Sequence, residues 1–256
     1  VPGYEAFVRS ACRLGPVPGV GGAGAAAGIR LYLANDVLAL WQRTEDEFGT
    51  GQPPPFWAFA WPGGQALARY VLDHPGLVTG RRVLDLGSGS GLVAIAAARA
   101  GAAAVRASEV DPLAAAAIRL NATANGVPMP VITGDVLDGD GSCDGDGAGA
   151  GGRERAGVVL AGDVWYSRPL AERVAGFLER ATARGALVLA GDIGRAFLPR
   201  DRFRVLDARD VPVMADLEDA SVKRAMVLTP AWVPDWRAGN SPGGNSPDSQ
   251  RAMLGP

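Results

Sequence analysis

The chain has 256 residues, 48% hydrophobic and 20% charged, enough to bury one α/β core and short for two. With 25 Lys+Arg against 27 Asp+Glu the net charge is −2, without the basic excess of a nucleic-acid module. Cys12 and Cys143 are the only cysteines and His74 the only histidine, so a disulfide framework, a Cys-based zinc site and a His-rich metal site are excluded and no metal is expected. Lysine occurs once, at Lys223, which argues against Schiff-base chemistry, and no G-K-[ST] follows a glycine loop.

The N-terminus, VPGYEAFVRSACRLGPVPGV, lacks the apolar core of a signal peptide, and residues 1–28 read as a flexible segment rich in Gly, Ala and Pro from Gly15 onward. No stretch is long and apolar enough to span a bilayer, because Arg99 interrupts the most apolar run, Leu92 to Val105. A cytoplasmic location is expected, and the preference for Arg over Lys with abundant Ala and Gly reads as a high-GC, bacterial coding style.

Elements then alternate. Ile29–Ala34 reads as a strand, and Asn35 caps a helix to about Phe48; Gly64–Asp73 reads as a second helix. Next come Arg82–Leu86 (strand), Gly91–Ala100 (helix), Ala104–Glu109 (strand), Pro112–Ala124 (helix) and Pro130–Gly134 (strand). Residues 138–157, DGDGSCDGDGAGAGGRERAG, read as a flexible loop. Their D-x-D start resembles a calcium loop, but Cys143 and Gly149 stand where an EF-hand needs Gly and Glu. Val158–Asp163 (strand), Pro169–Ala183 (helix) and Ala186–Asp192 (strand) follow, and 203–209 and 222–228 read as closing antiparallel strands. Short apolar runs separated by helices predict βαβ units and a mostly parallel sheet with helices on both faces, one domain over 29–230, and a disordered tail over 231–256.

The most informative segment is VLDLGSGSGLVAIAAA, 83–98. A buried strand ends at Asp85-Leu86, and Gly87, Gly89 and Gly91 turn the backbone tightly into a helix. In open α/β sheets a ligand lies beyond the carboxyl ends of the strands, and Glu109, ending the next strand, stands where a carboxylate would hold a ribose diol. The loop also scans as the dinucleotide fingerprint Gly89-x-Gly91-x-x-Ala94. Asp85 weighs against that reading: a carboxylate in the crevice repels a pyrophosphate and favours the ammonium and sulfonium of S-adenosylmethionine, unless Asp85 only caps the following turn. Asp135, after the third strand of this unit, is placed to accept an adenine amino group or to make a simple turn.

DLGSGSG, SEVDP and TGD in that order resemble class I, seven-strand S-adenosylmethionine-dependent methyltransferases. PFWAFAWPGGQ (55–65), GDVWY (162–166) and GDIGR (191–195) are similar to segments of the electron transfer flavoprotein β-subunit lysine methyltransferases, over about residues 29–228. Ile193 departs from that family's proline, and the 138–157 insertion and the tail are extra, which bears on the substrate rim more than on the cofactor site. The resemblance implies a Rossmann-like seven-stranded sheet with its last strand antiparallel, S-adenosylmethionine as cofactor, and methylation of a protein lysine. A ribosomal protein or a small-molecule amine is the alternative acceptor; neither nucleic acid nor membrane is an expected partner.

Methyl transfer is an in-line displacement, so a carboxylate beside the acceptor would hold the amine and its developing charge. Asp163, ending a parallel strand on the same rim, is the candidate catalytic carboxylate, with Tyr166 lining the acceptor channel; the competing roles are a helix cap and plain packing. Trp61 resembles a family tryptophan lying over the cofactor, and Trp57 either stacks nearby or packs in the core. Asp192 either faces the cleft or makes a turn, and Arg195 is a candidate for the substrate rim.

Overall fold

A computed structural model describes residues 2–20, 28–139, 155–213 and 221–232. The chain opens with helix α1 (Pro2–Ala11) and strand β1 (Arg13–Pro16), followed by β2 (Arg30–Leu33), α2 (Val37–Phe48), α3 (Pro62–Asp73) and β3 (Arg82–Leu86). Then come α4 (Leu92–Arg99), β4 (Ala104–Glu109), α5 (Pro112–Ala124), β5 (Val131–Thr133), β6 (Val158–Gly162), α6 (Arg168–Ala183), β7 (Leu187–Asp192), β8 (Phe203–Pro212) and β9 (Val222–Pro230).

Seven strands form one sheet in the order β5-β4-β3-β6-β7-β9-β8. β3 to β7 run parallel, β9 is antiparallel to β7, and β8 is antiparallel to β9. Of the two closing segments, therefore, only β9 opposes the parallel set; β8 rejoins its direction. Side chains alternate across the central strands. Val83, Val158, Leu160 and Leu189 pack with α3, α4 and α5 on one face, while Leu84, Val159, Val188 and Ala190 pack with α6 on the other. Burial on both faces is why these strands read as continuous apolar runs. α4 is almost wholly apolar, rich in alanine and buried along its length. That suits a helix enclosed on several sides, for which alanine keeps high helix propensity in little volume.

The N-terminal segment departs from expectation. Residues 2–20 are not a free arm: Phe7, Val8 and Cys12 are buried with Leu113, Ala117 and Leu120 of α5, and Phe7 and Tyr4 meet Phe48 edge-on. The Gly/Pro-rich composition masked the amphipathic decapeptide before it. β2 also lies outside the main sheet, pairing antiparallel with β1, and is pinned to α5 by Asn121, whose side chain accepts from Tyr32 N (2.7 Å) and donates to Ser90 O (2.8 Å). Asp36, rather than Asn35, caps α2, accepting from Ala39 N at 2.9 Å. The greater part of the expected 138–157 loop (140–154) and of the 231–256 tail (233–256) lies outside the described residues. No described helix is long and apolar enough to cross a membrane.

Candidate active site

Strand order reverses between β3 and β6, where the chain leaves β3 toward β5 and later returns to build the other half. Ligands of open α/β sheets bind in the crevice such a reversal opens. The register sets Leu86 beside Ala161, so the turn after β3 and the turn after β6 emerge side by side. They open into a cleft of about 990 Å³, at the upper end of the range for small-molecule sites.

On the β3 side, Gly87, Gly89 and Gly91 all have positive φ, 61°, 54° and 83°. Nothing stands within 4 Å of where a Cβ on Gly89 would sit, so its open side is a cradle facing the cleft. Glu109 closes the loop: one carboxylate oxygen accepts from Gly89 N (2.9 Å), the other from Val110 N (2.7 Å) and Asp111 N (3.3 Å). Burial pushes its pKa up against these amides.

Asp85 has a different place from the one expected. It is 1% exposed and is not part of the cleft wall. Its Oδ2 accepts from Ser88 Oγ (2.5 Å) and from Ala94 N in the first turn of α4 (3.0 Å). Asp85 is thus the turn's internal anchor, with its pKa pushed up to about 7 by burial. Strand alternation explains the correction: Asp85 shares the face of Val83, which points beneath α4, while Leu86 points the other way. Asp135 does line the cleft, but its carboxylate accepts from Arg173 (2.7 Å) and Leu137 N (2.9 Å), and the guanidinium holds its pKa down.

On the β6 side, Asp163 adopts a left-handed conformation, φ 56°, the one described non-glycine residue to do so. Its Oδ2 accepts from Gly64 N in the first turn of α3 (2.6 Å), and its Oδ1 accepts from Arg195 Nη1 (2.7 Å). Burial pushes its pKa up to about 6, opposed by Arg195 and the helix amides and aided by the nearby Asp192. The alternative reading, a cap on the helix that follows, is not met: Asp163 instead satisfies an amide in the first turn of α3, 99 residues earlier in the chain. Two glycines make this approach possible: a Cβ on either Gly63 or Gly191 would collide with the other's backbone. The signal was legible as Gly-Gly after Trp61-Pro62 and as Gly-Asp at the ends of both β6 and β7, but the pairing between them was not.

Tyr166 lines the cleft at 57% exposure, tilted against Phe56 with centroids 5.9 Å apart. Trp61 donates its indole N–H to Phe56 O (2.8 Å) and lies under the Arg195 guanidinium, 5.8 Å from its ring centroid. Trp57 touches the cleft but is buried at 2% in the cluster with α1 and α5, so packing is its main role. Asp192 is fully buried, with Oδ1 accepting from Gly194 N (2.6 Å) and Arg195 N (2.7 Å). Phe56 is the rim residue the sequence reading did not single out by itself. Cys12 is buried and its thiol pKa is pushed up to about 12, which removes it as a nucleophile. Among the described residues no cluster suits a metal ion.

The family model for ribosomal protein L11 methyltransferase (PrmA) matches residues 65–145. Over 94 residues, 36% of this chain and 27% of that protein, the ribosomal protein L11 methyltransferase of Exiguobacterium is 39% identical. The electron transfer flavoprotein beta subunit lysine methyltransferase of Danio rerio is 42% identical over 146 residues, 56% of this chain and 52% of that protein. Its Caenorhabditis elegans homolog is 31% identical over 171 residues, 65% of this chain and 69% of that protein. The chain belongs to the electron transfer flavoprotein β-subunit lysine methyltransferase family. It spans about half the length of the fish, rat and mouse members. Within the family frame, the L11 methyltransferase match ends before β6 begins and so covers the glycine loop, Glu109 and Asp135 but not Asp163, Tyr166 or Arg195.

Proposed function

We propose that the chain transfers a methyl group from S-adenosylmethionine to the side-chain amine of a lysine on a protein partner, with the β-subunit of electron transfer flavoprotein as the leading candidate. The observation that carries this reading is the adjacency of the Gly87–Gly91 cradle with Glu109 and the buried carboxylate of Asp163 across the strand-order reversal. The cleft's charge fits the cofactor. Four carboxylates line it (Glu109, Asp111, Asp135, Asp163) against two arginines, each of which is engaged by one of those acids. A pyrophosphate would meet that surplus of negative charge, whereas a sulfonium and an ammonium are attracted by it. The negative charge of the cleft therefore comes from these four acids and not from Asp85.

When bound, S-adenosylmethionine supplies an electrophilic methyl on a sulfonium. Glu109 would hold the ribose hydroxyls, and the backbone of Gly87 to Gly89 would pass close under the cofactor. Asp163, ionised above about pH 6, draws the acceptor ammonium into the cleft and keeps a hydrogen bond to the nitrogen once its proton has gone to solvent at the mouth. Phe56 and Tyr166 flank the approach with apolar surface suited to a lysine stem. The carbon–nitrogen bond forms as the carbon–sulfur bond breaks, leaving a neutral thioether.

Because the L11 methyltransferase match stops short of the acceptor side, it gives no preference for a ribosomal substrate. A cytoplasmic setting belongs to the same proposal; composition supports a bacterial source and the animal relatives a eukaryotic one, with the same site in either case. The test is incubation with methyl-labelled S-adenosylmethionine and purified electron transfer flavoprotein, beside a whole-cell lysate. Label on the β-subunit supports the full proposal, and label on another protein moves the substrate. Tight NAD binding with no response to S-adenosylmethionine overturns it.

A further inference from the structure

Asp163 presents a conflict that the proposed reaction must resolve. The carboxylate oxygen that would greet an incoming ammonium, Oδ1, already holds the Arg195 guanidinium at 2.7 Å, and Oδ2 is engaged by Gly64 N. A second anomaly lies next to it. Asp192 Oδ2 is fully buried and accepts no hydrogen bond, yet stands 3.7 Å from the same Arg195 Nη1. An unmet buried carboxylate oxygen is costly, and an orphan of this kind calls for a reason.

One movement answers both. We infer that Arg195 is a displaceable counterion: it sits on Asp163 while the acceptor channel is empty and shifts onto Asp192 Oδ2 when the substrate ammonium takes its place. The shift is about 1 Å, the difference between 3.7 Å and an ordinary charged hydrogen bond. The backbone is already anchored for it, since Arg195 N donates to Asp192 Oδ1 and need not move. Trp61 lies beneath the guanidinium and offers a π face to whichever cation stands there. Asp163 thus keeps a cation beside it throughout, and the charge that the ammonium adds is balanced by the Asp192 carboxylate that takes up Arg195, so Asp163 is never a buried carboxylate without a cation. In this account Arg195 and Asp192 are positioning residues, acting through Asp163.

This inference rests on the proposed function for its acceptor, and the test separates the two. The probe is butylammonium, a mimic of the lysine terminus, titrated into the full chain in the presence of S-adenosylhomocysteine and followed by the Arg195 guanidinium NMR signal, or by calorimetry where Arg195 is replaced. Cofactor-product binding, measured first, reports on folding and on the function itself; its loss from the unaltered protein would defeat that reading before this one is reached. Asp192→Asn keeps the acceptor for Gly194 N and Arg195 N but removes the charged seat, and should weaken butylammonium about 5-fold or more. Arg195→Gln removes the competitor and should tighten it or leave it unchanged. In the double variant the Asp192→Asn penalty should disappear, because there is no guanidinium left to reseat. Arg195→Lys, which restores a movable cation, should restore the penalty. Equal penalties in the presence and absence of Arg195, weakened binding on Arg195→Gln, or no butylammonium binding to a protein that does bind S-adenosylhomocysteine would each overturn the inference.

Discussion

The two walls of the cleft put similar carboxylates to opposite use. On the β3–β4 side, Glu109 in the cleft wall and Asp85 buried behind it accept from Ser88, Gly89, Ala94 and Val110 and so hold one short loop in one shape. On the β6–β7 side, Asp163 and Asp192 both lie against the Arg195 guanidinium, the Arg200 charge acts on Asp192 as well, and one buried Asp192 oxygen accepts no hydrogen bond. The first wall is built for a fixed ligand, with its hydrogen bonds made in advance. The second leaves one buried carboxylate oxygen open, the feature on which the proposal of an exchangeable cation rests.

The contrast also sorts what was legible in the sequence. The β3–β4 wall is local: Asp85 to Ala94 spans ten residues, and Glu109 enters at the end of the next strand, so spacing alone located the glycine loop. Even there, the direction of Asp85 depended on which face of β3 it shares, and the motif placed it in the cleft when the pleat places it beneath α4. The β6–β7 wall joins Gly64, Asp163 and Arg195, which are far apart in the chain. Residue types there were readable, but the helix that Asp163 serves, α3, and its pairing with Arg195 were not. Likewise α1 was not legible because its apolar residues Phe7 and Val8, with Cys12 just beyond the helix, find their partners far along the chain, in α5 and at Phe48 of α2.

If the first wall works as a rigid cradle, Gly89→Val should have the largest effect of any single change. It places a β-branched side chain at φ 54° and fills the open side of the loop. S-adenosylhomocysteine binding by calorimetry should be abolished while the fold, read by circular dichroism, persists. Retained binding would show that the cofactor lies elsewhere.

Asp163→Asn tests the second wall. Asn tolerates the left-handed backbone and its single oxygen can still accept from Gly64 N, so it removes the charge and, with it, the acceptor that Arg195 Nη1 uses. Methyl transfer should fall by a factor on the order of 10² or more, with S-adenosylhomocysteine affinity held within a few fold. Glu109→Ala should do the reverse, weakening the cofactor first. If Asp163→Asn loses cofactor binding as badly as Glu109→Ala, or methylates at the normal rate, the walls do not divide the labour as proposed.

Asp85→Ala sharpens the distinction between anchor and ligand contact. It leaves Ala94 N–H and the Ser88 hydroxyl without their buried acceptor, which should cost about 1–3 kcal/mol of unfolding free energy in urea titration. A loss of cofactor affinity with unchanged stability would return Asp85 to the cleft.

The last expected effect is one of sign, in the loop behind the first wall. Burial raises the Asp85 pKa from 3.8 to about 7, so between those values the folded protein binds more protons than the unfolded chain. Stability falls with pH wherever that holds: the contribution of Asp85 is fully present below about pH 4 and is lost as pH rises through about 7. Asp85→Asn keeps an acceptor for Ala94 N but cannot titrate, so the stability of the unaltered protein relative to this variant should decline from pH 5 to pH 8. Other groups common to both proteins cancel in the difference, including Asp163, whose pKa is raised to about 6 in the same direction. A relative stability that climbs with pH instead would mean that the Ser88 and Ala94 hydrogen bonds outweigh burial and hold Asp85 ionised. The anchor would then resemble the charged wall opposite, and the contrast between the two would fail at its base.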